Sequence, residues 1–110
     1  MLFLKEDLNK LNSISEEELQ KDIQEYINWV EELSKKGHFK QGDPLENDRI
    51  IIDNKLQART DGPFIETKEL ISGYFIIFAE SADQATNIAK GCPVLKAGGT
   101  IELRKILVLN

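Results

Sequence analysis

The residues in this sequence whose types and spacing could do chemistry are His38, Asp43, Asp61, Glu66, Lys68 and Cys92. His38 is the single histidine, and an imidazole titrating near neutrality is the natural proton carrier. Its partners would be acids brought in by the fold, with Asp43 and Asp61 the first candidates. The commoner explanation of such a residue is a partly exposed position at the start of a strand. Residues 61–69 read DGPFIETKE and hold the densest set of candidates. Pro63 fixes its own φ and disfavours helix at Gly62, so the chain is extended or turning there. An Asx turn from Asp61 would need the N–H of residue 63, which proline lacks. The Asp61 carboxylate must instead reach Phe64 or Ile65, a distant cation, water or a ligand. In an extended segment Glu66 and Lys68 share one side with Glu69 opposite, whereas a helical turn would pair Glu66 with Glu69. The group can be a solvated loop, a charged site for a small polar ligand, or a carboxylate raised by burial into a general base.

The other candidates point away from chemistry. Cys92, between Gly91 and Pro93, sits where a helix should end, and the dipole there disfavours a thiolate. A buried structural thiol is expected. One histidine with dispersed acids matches no zinc or calcium ligand spacing. Gly98-Gly99 precedes a strand and lacks the helix N-terminus that makes a phosphate loop work. No cofactor or metal is implied.

Composition bounds the rest. The 110 residues suit one domain spanning 1–110, with 41% hydrophobic and 30% charged residues. A formal charge of −5 and scattered Lys and Arg argue against nucleic acid. There is no run of about 18 apolar residues that would span a membrane. Met1-Leu2-Phe3-Leu4 is cut off by charges before it could serve as a signal peptide. A lone cysteine fits a reducing compartment, so a cytoplasmic location is expected.

The elements that must position the candidates follow from periodicity. Residues 1–5 read as a strand. Ser15 with Glu18 makes a capping box, and Leu19, Ile23, Tyr26, Ile27, Val30 and Leu33 recur at helical spacing up to Gly37, predicting a helix over 16–36. Residues 38–45 read as a short strand leading to a turn. Residues 49–52 and 56–59 read as a hairpin around Asp53-Asn54-Lys55. Residues 73–79 form a central strand, Ser81 caps a second helix that ends at Gly91, and residues 100–108 form the last strand. Trp29 and Tyr26 are expected to pack against the sheet.

The order is β-α-β-β-α-β with an inserted small hairpin, an α+β, ferredoxin-like plan with two helices on one face of an antiparallel sheet. In the central strand Tyr74, Ile76 and Phe78 point one way and Phe75, Ile77 and Ala79 the other, so both faces are apolar. A second copy covering the open face would form a dimeric α+β barrel.

Asp61-Gly62-Pro63-Phe64, Glu66, Lys68-Glu69 and Gly73-Tyr74 resemble the signature of the DGPF-domain branch of the YCII-related proteins. So do the helix end at Leu33 to Gly37, GDPL at 42–45 and AKGCP at 89–93. The resemblance spans nearly the whole chain and implies a homodimeric α+β barrel. In some relatives a histidine in the first helix pairs with an aspartate after the second, which marks them as candidate enzymes. Here the first helix has no histidine, and the second position reads Cys92-Pro93-Val94. Some DGPF proteins resemble modules associated with extracytoplasmic-function sigma factors. Two readings follow: a small-molecule-binding or catalytic domain with its polar site at the DGPF loop, and a non-catalytic module acting through a protein partner.

Overall fold

In the computed structural model the description covers residues 1–6, 15–46, 48–61 and 70–108, and of residues 59–61 the backbone alone. The chain runs β1 (Leu2–Glu6), α1 (Glu16–Lys35), β2 (Phe39–Pro44), β3 (Arg49–Ile52), β4 (Ala58–Asp61), β5 (Leu70–Ile77), α2 (Ala82–Ala89), a 3-10 turn (Pro93–Leu95) and β6 (Thr100–Leu103). Four strands make an antiparallel sheet in the order β2-β5-β1-β6, and β3-β4 form a separate two-stranded sheet. This is the split βαβ arrangement with a hairpin inserted between β2 and β5.

Local sequence explains the helix ends. The Ser15 hydroxyl accepts from the Glu18 N–H at 3.2 Å, and three glutamates in the first turn complement the dipole. After Lys36, Gly37 takes φ 77°, a left-handed conformation that favours glycine, and the chain turns into β2. Ser81 caps α2 in the same manner, accepting from Gln84 N–H at 3.1 Å.

Both helices cover one face of the sheet, around a core of Leu2, Leu4, Trp29, Leu33, Phe75, Ala89, Cys92 and Val94. Phe75 is its hub: Trp29 meets it edge-on at 5.0 Å between ring centroids, Tyr26 stacks at 6.2 Å, and Phe39 lies at 6.4 Å. Gly42, on the neighbouring strand, leaves the space for that ring, because a Cβ there would overlap Phe75 and lie 2.9 Å from the Tyr74 carbonyl oxygen.

Five details differ from the sequence expectation, the first being the central strand, which runs Leu70–Ile77 rather than 73–79. The buried centre of α1 is the Trp29–Leu33 row with Tyr26 and Val30 half-buried, while Leu19, Ile23 and Ile27 are each about half exposed. Trp29 lies on the opposite flank of the stripe and is the largest side chain available, so it draws the centre of packing to its own side. The second hairpin strand begins at Ala58 rather than 56. Asp53 Oδ1 accepts from the N–H groups of Lys55 and Gln57, which lengthens the turn and puts Leu56 at φ 63°. The last strand stops at Leu103, where its pairing with β1 ends, and Ile106, Leu107 and Val108 are exposed. The open face is mixed rather than wholly apolar: Phe3, Tyr74 and Ile76 are half-buried beside Gln41, Asp43 and a Lys5–Glu102 ion pair of 3.2 Å.

Two irregularities shape the open face. Ser72 is an extra residue in β5 between the pairs Leu4↔Gly73 and Lys5↔Ile71, which turns Ile71 to the same face as Phe3 and Tyr74. The Ser72 carbonyl, freed from that ladder, accepts from Leu45 N–H at 2.9 Å and ties the end of β2 to the bulge. Lys40 is the extra residue of β2 in its pairing with β5.

Candidate functional site

On the open face, Asp43 and Tyr74 stand directly opposite each other in the β2–β5 register. The Tyr74 hydroxyl donates to Asp43 Oδ2 at 2.6 Å and accepts from Gln41 Nε2 at 3.0 Å. Gln41 and Asp43 are two apart on β2 and therefore share a face, which lets one phenol bridge both. A hydroxyl-to-carboxylate bond of this length belongs to the stronger class of hydrogen bond.

Tyr74 also lines a pocket of about 450 Å³, together with Met1, Phe3, Leu45, Glu46, Asp48, Arg49, Leu70 and Ile71. The sheet supplies Phe3, Leu70, Ile71 and Tyr74; the β2–β3 connection and the start of β3 supply Leu45, Glu46, Asp48 and Arg49. The Ser72 bulge is what brings Ile71 into this wall. Apolar side chains with a few polar groups at the edge are the usual make-up of a small-molecule pocket, and the volume lies within the usual range.

The sequence candidates are dispersed. Asp43 joins the pocket's polar edge through Tyr74. Asp61 closes β4 with its backbone opposite Arg49, a pocket residue, and its side chain is outside the description. Glu66 and Lys68, with the rest of residues 62–69, lie outside the described residues. The strand that follows them begins at Leu70, which lines the pocket. The two anchors of the DGPF segment thus stand next to pocket residues.

His38 is elsewhere. It precedes β2 at the end opposite Asp43, its carbonyl accepts from Phe78 N–H at 2.7 Å, and its Nδ1 lies 3.0 Å from the Phe78 carbonyl oxygen. A carbonyl only accepts, so Nδ1 carries the proton, and in the neutral ring Nε2 is left as the basic nitrogen. At this end of the strand Lys40 Nζ lies 5.9 Å over the Phe78 ring. The structure does not bring His38 to Asp43.

Cys92 is buried in the core, close to Tyr26. Burial pushes the Cys92 thiol up to about 11, and burial, with Cys92 and Glu6 nearby, raises Tyr26 as well. Both groups stay protonated, as a structural pair does. Among the described residues no group of three or more His, Cys, Asp or Glu could hold a metal ion, and no helix is long and apolar enough to cross a membrane.

Sequence reasoning missed Tyr74, Gln41, Arg49, Glu46 and Asp48 as site residues. Tyr74 read as one more apolar position of a central strand, and the register that sets it against Asp43 leaves no local signal. Gly73-Tyr74 did stand out as part of a recurring motif, which was the available hint.

A family model described as the YCII-related domain matches residues 1–110. The chain belongs to the YCII-related family. No curated protein matches it. For this YCII-related chain, family membership agrees with the antiparallel sheet and paired helices seen here. α1 carries no histidine, and α2 is followed by Cys92-Pro93-Val94.

Proposed function

We propose that this is a small-molecule-binding domain of the DGPF branch, working as a homodimer, with its site at the pocket lined by Arg49, Leu70 and Tyr74. The observation that carries this reading is the shared wall. Tyr74 and Phe3 from the sheet face Asp48 and Arg49 from the hairpin side across one apolar recess, and the Tyr74 hydroxyl is held at its edge by Asp43 and Gln41. Fixing a phenol in two hydrogen bonds removes ordering entropy that a ligand would otherwise have to offset. The reading is one of binding. His38 lies away from the pocket, and the imidazole–carboxylate pair of some relatives is missing, so no reaction is assigned.

A thermal-shift screen with a metabolite library tests it. A ligand present at 100 times its dissociation constant stabilises by about 2.7 kcal/mol. The shift should be lost or strongly reduced in Tyr74→Phe and Asp43→Asn, which keep their shape on a half-exposed face. A shift unchanged in both variants would move the site elsewhere.

A second reading rests on the hairpin. Ile50 and Ile52 are 67% and 65% exposed on the outer side of β3. Neighbouring exposed isoleucines on a two-stranded sheet suit contact with a protein partner, as in a non-catalytic regulatory module. The buried, protonated Cys92 suits a reducing compartment, in keeping with a cytoplasmic protein.

A further inference from the structure

The pocket's charge and hydrogen-bonding capacity narrow what it can hold. Its edge carries Glu46 and Asp48, and Asp43 stands behind Tyr74 at 2.6 Å. Against these three carboxylates stand Arg49 and the amino nitrogen of Met1, and the latter donates to the Arg104 carbonyl oxygen at 2.6 Å. Among the described residues the balance is negative, in a chain whose formal charge is −5. The Tyr74 hydroxyl gives its one proton to Asp43, so a ligand that meets this oxygen must bring the donor. Beneath these groups the recess is apolar, built from Phe3, Leu45, Leu70 and Ile71.

We propose that the pocket takes an amphiphilic cation: a primary ammonium or protonated amine carried on an apolar body. The apolar part replaces water against Phe3, Leu70 and Ile71, and the ammonium lies at the edge among Glu46, Asp48 and the Tyr74–Asp43 pair. A carboxylate ligand would face the same three acids with Arg49 as its side-chain counter-charge. The inference rests on the pocket being the binding site, as proposed above.

Octylammonium, octanol and octanoate share one apolar body and differ in the head group, so they separate the two claims. Isothermal titration of the full chain at neutral pH and low salt should show octylammonium binding at least about tenfold more tightly than octanoate, with octanol between them. Added salt should weaken octylammonium and leave octanol unchanged. Glu46→Gln combined with Asp48→Asn, both exposed positions, should reduce the ammonium preference while preserving octanol binding. Ile71→Arg should abolish binding of all three. Octanoate binding as tightly as octylammonium would overturn the cation assignment and leave the pocket standing as the site. Binding that persists in Ile71→Arg, or no binding of any probe, would overturn both.

Discussion

Buried Cys92 and half-buried Tyr26 are neighbours whose protons the fold holds tightly, and this has a pH consequence. Both groups titrate higher in the folded chain than in the unfolded one. The folded state therefore keeps protons that the unfolded chain has released once the pH exceeds the unfolded values near 9 and 10. Stability is fully present below that point and falls as the pH rises from about 9 towards 11. Urea denaturation across this range should show the decline, with a shallower slope in Cys92→Ala. The two-unit rise in thiol pKa, from 9.0 to about 11, also lowers the thiolate fraction about a hundredfold, so a thiol reagent at pH 8 should label native protein at least that much more slowly than denatured protein. The fate of Cys92 was legible because its neighbours Gly91 and Pro93 mark a helix end. The Asp43–Tyr74 pair was not, because the residues are 31 apart and only strand register makes them neighbours.

At the scale of elements, what local chemistry determines was readable, and what pairing determines was not. Ser15, Glu18 and Gly37 bounded α1 to within a residue, since caps are satisfied by neighbours in sequence. The early end of β6 and the extra residues Ser72 and Lys40 depend on partner strands and leave no mark in the chain that carries them. The same dependence makes the β2–β5 junction sensitive. Gly42→Ala should cost about 1–3 kcal/mol, measured by denaturant midpoint, because the added methyl must displace the Phe75 ring on which Tyr26, Trp29 and Phe39 converge. The loss should be greater than at Gly37, where an added Cβ meets nothing within 4 Å and only the φ of 77° resists.

At the scale of the whole molecule, both helices lie on one face of the sheet, and among the described residues no helix covers the other, which is the ground for the proposed homodimer. Phe3, Tyr74 and Ile76 supply the apolar part of that face, and Lys5, Glu102, Gln41 and Asp43 give it a polar surround, as interfaces commonly have. Light scattering coupled to gel filtration should give twice the 12.5 kDa chain mass. Ile76→Asp should shift it towards monomer while keeping the helical circular dichroism. A wild-type chain that elutes at monomer mass at all concentrations would count against the dimer.

The hairpin β3-β4 has its own ladder, separate from the four-stranded sheet, yet its first residue forms one wall of the pocket and the sheet forms the other. An occupant of the recess would therefore touch both the hairpin and the sheet. Any departure of the hairpin from the sheet would then tax affinity, the apparent dissociation constant being the intrinsic one divided by the fraction of molecules whose hairpin is seated. A second subunit that holds the hairpin in place would remove that tax. Phe3 and Tyr74 belong both to the recess and to the face proposed for the dimer, so an occupant would lie beside the partner subunit and association and occupancy would act on the same residues.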